Sequence, residues 1–280
     1  MFQTFYDSNR NVAFIIKYKT GSNLLHMIIE ESSPPGLSCV TPDEFLEIYL
    51  ANPKIQIVTT IRNPKIAYFS GAHQILGPDS NSVLNATGLV SHYTKKLRKI
   101  VNNWEGQIPN YNFSDGHCSH YIWTLLYLIA SGKNIKIIPL NLWSDYLIEY
   151  YPEAEGLINV SKSPVALNDF STEFKKNDVE TTFMKAFKAT ILEPQKDSVS
   201  PNTWENWMVA ESKAFDRILM FLEDGNMDNI TYALNMIAAS NAYWHNTTIH
   251  PILAVMIKCD PDLNNIPDGM RIRIKDLVNK

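Results

Sequence analysis

Stretches in which every residue is apolar alternate along this chain with stretches in which apolar residues recur at helical spacing. Residues 12–16 (VAFII) are apolar without a break, the pattern of a strand covered on both faces of a parallel sheet. Leu24, Leu25, Ile28 and Ile29 follow at the three- and four-residue spacing of a helix. Residues 55–61 (IQIVTTI), rich in β-branched side chains, predict a second strand, and residues 66–75 a second helix. Residues 118–131 are apolar enough for a mostly buried helix with Gly132 as its C-cap. Residues 135–139 (IKIIP) predict a third strand, with a helix after it over 144–150. Strand and helix in alternation argue for an α/β fold: a parallel sheet with right-handed crossovers, flanked by helices.

Beyond residue 170 the strand-like runs stop. Residues 179–192, 203–222, 229–244 and 249–258 all read as helices, and the polar stretch EPQKDSVSPN reads as a connecting loop. The chain therefore divides into an α/β core over residues 1–170 and a helical C-terminal region over 171–280, either a small domain or helices laid on the same sheet. No internal repeat or low-complexity segment is present. At 280 residues the chain is long enough to bury a large core in either arrangement.

Composition narrows the partners. The hydrophobic fraction is 45% and the charged fraction 19%, as in an ordinary soluble protein. Net charge is −4, which disfavours binding nucleic acid through counterion release. The run KKLRK at residues 95–99 reads as a solvated helix face that can still attract an anionic acceptor. Cys39, Cys118 and Cys259 are odd in number, widely spaced and without a CxxC pair, so neither a disulfide framework nor a zinc site is expected. No apolar run reaches the roughly 18 residues of a membrane span, and the first residues lack a signal peptide's basic start and apolar run, so a cytoplasmic chain is expected. Asn-x-Ser/Thr triplets at Asn85, Asn112, Asn159, Asn229 and Asn246 are then expected to be idle.

The chemistry concentrates at two strand-to-helix junctions. The first, YKTGSN at residues 18–23, places Lys19, Thr20, Gly21, Ser22 and Asn23 where backbone N–H groups and a helix N-terminus aim at one point. That is a ready anion site, or else a turn whose lysine merely faces solvent. It is not a Walker A loop, in which the lysine follows the glycines; here Lys19 precedes Gly21, which disfavours ATP or GTP as substrate. The second junction is IRNPKIAYFSGAH, residues 61–73. Asn63 suits an N-cap and Pro64 the first helical position. Arg62 falls at the strand's C-terminal end, where open α/β sheets bind ligands, and can grip a phosphate bidentately. Ser70 lies eight residues on and can add a hydroxyl to the same group; alternatively, Asn-Pro simply starts a helix and Arg62 pairs with a surface acid.

Together the two junctions resemble the sulfotransferase family, which uses 3′-phosphoadenosine 5′-phosphosulfate (PAPS) as sulfuryl donor. YKTGSN is similar to the P-loop-like strand–loop–helix that holds the donor's 5′-phosphosulfate, closest to its carbohydrate sulfotransferase form. RNPK followed by Ser70 resembles the 3′-phosphate site. A third similarity joins DGHCSHYIWTLLYL (residues 115–128) and INVSKSP (158–164) to later family segments, so the resemblance covers roughly residues 10–165. Tyr18 stands where the family has proline, Asn23 where it has a hydroxyl residue, and Tyr121 and Ile122 where it has Pro-Gln.

The resemblance implies a PAPS-dependent transferase acting by in-line displacement, with no metal. Lys19 would neutralise charge on the oxygen bridging phosphate and sulfate. Thr20, Gly21, Ser22 and Asn23 would hold the 5′-phosphosulfate, and Arg62 with Ser70 the 3′-phosphate. A general base must reach the acceptor hydroxyl, on a carbohydrate or a small molecule. Of His26, Glu30, Glu31, Asp43, Glu44 and Glu47, Asp43 and Glu44 lie at a distance from the lysine similar to that of the family's glutamate, and Glu44 is the preferred base with His117 behind it. Two bland readings stand beside these: His26 as a packed core histidine, and Thr41-Pro-Asp-Glu as a helix start. A non-catalytic anion-binding relative and a P-loop nucleotide kinase are the competing functions. Trp204, Trp207 and Trp244 could stack on a sugar but more often serve a core. Neither the acceptor nor the oligomeric state is readable.

Overall fold

The computed structural model describes residues 2–17, 20–64, 66, 67, 88, 91–96, 122–130, 132, 134–162 and 202–239. Five strands among them form one sheet: β1 (Phe2–Asp7), β2 (Val12–Lys17), β3 (Leu37–Val40), β4 (Gln56–Ile61) and β5 (Ile135–Pro139), in the order β3-β1-β2-β4-β5. β2, β4 and β5 run parallel, as the apolar runs predict. β1 runs antiparallel to both β2 and β3, so the sheet is mixed and the expectation of a parallel sheet is corrected. The cause is local. β1 and β2 are joined by the turn at residues 8–11, far too short for the crossover that parallel neighbours require. Asn11 takes φ 54 in that turn, a conformation asparagine tolerates better than most residues.

Helices carry the chain between strands. α1 (Ser22–Met27) follows β2 and continues as a π-helical turn over Ile28–Ser32, closed by the Ser33 amide on the Ile28 carbonyl. α2 (Pro42–Ala51) precedes β4. α3 (Ile122–Ala130) precedes β5, and Gly132 ends it at φ 66 with its amide on the Ile129 carbonyl. α4 (Trp143–Tyr150) and α5 (Glu155–Lys162) follow β5. In the C-terminal region α6 (Asn202–Asp224) and α7 (Met227–Ala239) form a hairpin around Gly225, and both touch α3. The expected segments at 179–192 and 249–258 lie outside the described residues.

All of β2 and all but the first residue of β4 are buried, which explains the unbroken apolar runs. Alternation splits them between faces: Val12, Phe14, Ile16, Val58 and Ile138 pack with Leu24, Leu25, Trp143, Tyr146, Leu147, Tyr151 and Ile158 in one core cluster under α1, α4 and α5. Phe14 is its hub, meeting Trp143, Tyr150 and Tyr151 at ring centroid distances of 6.1, 6.1 and 6.3 Å. Trp143 also stacks on Tyr146 at 5.7 Å, and the Lys136 ammonium lies 4.6 Å from the Tyr146 ring centre.

Burial pushes the phenols of Tyr93, Tyr146 and Tyr151 well above the usual tyrosine range. Above a pH of about 10 the unfolded chain releases these protons while the folded chain keeps them, so stability falls as pH rises past that point. Urea melts should show a flat midpoint from pH 8 to about 9.5 and a falling one above it. A midpoint still flat at pH 11 would contradict the burial of these rings.

Candidate functional site

Parallel β2, β4 and β5 bring their C-terminal ends to one edge of the sheet, the edge where α/β folds hold ligands. Three connections leave that edge, with described residues 20–21, 62–63 and 140–142. Their contacts define the site.

The first connection turns on Thr20 and Gly21. Lys17 ends β2 at 1% exposure, and its carbonyl oxygen accepts from the Thr20 amide at 3.1 Å and the Thr20 hydroxyl at 2.7 Å. Gly21 then takes φ 108 and ψ 9 as the N-cap of α1. No side chain caps this helix, so the first-turn amides of Ser22 and Asn23 have no intrahelical acceptor. Ser22 is buried and Asn23 exposed.

The second connection is tied to the first. Thr60 in β4 is fully buried, and its hydroxyl lies 2.6 Å from the Thr20 carbonyl oxygen and 2.8 Å from Thr20 Oγ1. With one hydrogen to give, Thr60 shares it between these two acceptors. Arg62, half-buried, follows by two residues, about 7 Å of extended chain. Asn63 caps the next helical turn as expected: its Oδ1 accepts from the Ile66 amide at 3.3 Å and its carbonyl from the Ala67 amide at 2.9 Å.

The third connection seals the turn. Trp143 opens α4 at 1% exposure, and its Nε1 donates to the Gly21 carbonyl at 3.2 Å. A Cβ on Gly21 would stand 2.6 Å from the indole Cδ1 and 2.7 Å from Nε1. Position 21 therefore demands glycine twice, for its backbone angle and for the ring beside it.

Of the residues singled out from sequence, Thr20, Gly21, Ser22, Asn23 and Arg62 gather along this edge. Lys19, Ser70 and His117 lie outside the described residues. Thr20 is wholly buried and its hydroxyl is committed to Lys17 and Thr60, so it shapes the turn. Glu44 sits in a capping box: its carboxylate accepts from the Thr41 amide at 2.7 Å and hydroxyl at 2.9 Å, while the Glu44 amide donates back to Thr41 Oγ1. Those bonds hold its carboxyl below the usual glutamate range. His26 packs edge-on against Phe5 at 4.9 Å, with Gln3 Nε2 2.6 Å from its Nε2.

Sequence reasoning missed Thr60 and Trp143. Two adjacent threonines in a buried strand were the available signal for Thr60, because a buried hydroxyl must find a partner. Trp143 gave no signal, since its partner Gly21 is 122 residues away. Among the described residues no helix is long and apolar enough to cross a membrane, and no three His, Cys, Asp or Glu side chains are placed to hold a metal. Compared with known family models, curated proteins and solved structures, the chain matches none.

Proposed function

We propose that this chain moves a sulfuryl group from PAPS to the hydroxyl of a carbohydrate or small-molecule acceptor. The observation that carries the reading is the bond between Thr20 and Thr60, because it joins the two segments whose residue patterns resemble donor-binding motifs. The left-handed Gly21 ahead of an uncapped helix supports it further, since such a turn offers backbone donors to an anion.

On this reading the Gly21, Ser22 and Asn23 amides bind the 5′-phosphosulfate oxygens, and Lys19 offsets charge on the bridging oxygen as the sulfur–oxygen bond breaks. Arg62 and Ser70 take the 3′-phosphate, the group that separates this donor from ATP. Positioning and electrostatics carry most of the catalysis. The base should titrate near the working pH. Glu44, whose carboxylate is engaged by the amide and hydroxyl of Thr41 in the helix cap, would have to leave that cap to serve as the base, and His117 is the other candidate.

Calorimetric titration with 3′,5′-adenosine bisphosphate tests the proposal. The wild-type chain should bind it, and Arg62→Ala should weaken binding about 10- to 100-fold, the range for a lost charge-assisted hydrogen bond. Tight binding of ATP with magnesium and none of the bisphosphate would favour a nucleotide kinase. Lys19→Ala leaving every measurable property unchanged, sulfuryl transfer included, would favour a non-catalytic relative.

A further inference from the structure

We infer that Thr60 and Trp143 are positioning residues, a two-sided clamp that fixes residues 20–21 in the shape needed to bind the donor's phosphosulfate. The inference rests on the proposed use of this turn as the donor site and adds two residues that the motifs do not contain.

The geometry is specific to the turn. Thr60 grips Thr20 from β4, through both its carbonyl oxygen and its hydroxyl. Trp143 grips Gly21 from α4, through the carbonyl oxygen that also accepts the Leu24 amide at 3.2 Å. The two clamped carbonyls belong to consecutive residues, so the peptide plane between Thr20 and Gly21 is fixed at one end by its own carbonyl and just beyond the other by the next. A peptide plane held in this way cannot flip, and the orientation of the Gly21 and Ser22 amides depends on it. Both anchors are almost completely buried and cannot be replaced by water. Preorganised donors of this kind cost nothing to reorient when an anion arrives.

Thr60→Val keeps the shape of the side chain and deletes its donor, Thr60→Ser keeps the donor, and Trp143→Phe deletes the indole N–H from the opposite side. A role limited to folding would lower the melting temperature and leave the affinity of the folded protein unchanged. A positioning role predicts that Thr60→Val binds 3′,5′-adenosine bisphosphate about tenfold more weakly at a temperature where it is fully folded, while Thr60→Ser stays near wild type. Affinity equal to wild type in Thr60→Val overturns the inference. Trp143→Phe gives the same decision should Thr60→Val not fold. If the wild-type chain takes no bisphosphate at all, the donor reading fails by itself, and amide hydrogen exchange at Gly21 and Ser22 judges the clamp. Faster exchange in Thr60→Val than in Thr60→Ser supports it, and equal rates overturn it.

Discussion

Gly21→Ala is expected to destabilise the protein by about 4 kcal/mol and, on the proposed function, to remove bisphosphate binding with it. Three costs contribute. At φ 108 an L side chain is strained by about 1–3 kcal/mol. The new methyl would also meet the indole of Trp143 at 2.6 and 2.7 Å, with Leu140 Cδ1 at 3.2 Å on its flank. Trp143 cannot retreat, being packed against Phe14 and Tyr146, and forced overpacking of this kind costs about 1–3 kcal/mol. The Trp143–Gly21 hydrogen bond goes too, for about 1 kcal/mol. Against a typical total of about 5–15 kcal/mol that is a large loss. Urea melts of a double-mutant cycle would isolate the ring contact. In a Trp143→Phe background Gly21→Ala should cost at least about 1 kcal/mol less, whereas additivity within about 0.5 kcal/mol would mean that the two residues do not meet.

Asp7→Ala should cost about 3 kcal/mol, through a network far from the candidate site. The Asp7 carboxylate is fully buried and accepts four hydrogen bonds: from the amides of Asn9 and Arg10 at 3.0 Å each, from Arg10 Nη1 at 2.9 Å and from the Tyr151 hydroxyl at 2.9 Å. Arg10 continues to the Tyr150 carbonyl at 3.0 Å and lies over the Tyr151 ring at 4.8 Å, so the β1–β2 turn is tied to the end of α4. The ion pair is the smaller part of this, because the arginine side chain is 38% exposed and solvent screens it. The larger part is the Tyr151 hydroxyl, left buried without its acceptor for about 1–3 kcal/mol. The turn amides add to that. It follows that Tyr151→Phe in the Asp7→Ala background should recover part of the loss, by removing the orphaned hydroxyl. Full additivity of the two substitutions would show that the network does not depend on that bond.

What the sequence revealed depended on how local the governing physics is. β2, β4 and β5 are buried on both faces, so each stands out as an apolar run, and β5 matches its expected range residue for residue. β1 was missed because FQTFYD is neither an unbroken apolar run nor a strict alternation, and β3 because four residues carry little pattern. Missing β1 was enough to turn a mixed sheet into an expected parallel one. The Asn63-Pro64 helix start and the Thr41 capping box were legible because caps act across three residues. The clamp was not. Thr60 lies 40 residues from Thr20 and Trp143 lies 122 from Gly21, so only the folded chain assigns them partners. Lys17 shows the same limit: in sequence it is one of two lysines flanking Tyr18, yet in the fold it is a buried strand end.

On the proposed function, the turn after β2 and the end of β4 bind opposite ends of one nucleotide donor. Backbone and arginine side-chain resonances, followed during titration with 3′,5′-adenosine bisphosphate and separately with adenosine 5′-monophosphate, test it most directly. Saturable shifts are expected at Gly21, Ser22 and Asn23 with both ligands, and at the Arg62 guanidinium only when the 3′-phosphate is present. Shifts that leave residues 20–23 and Arg62 untouched, or an Arg62 response identical for the two ligands, would contradict it.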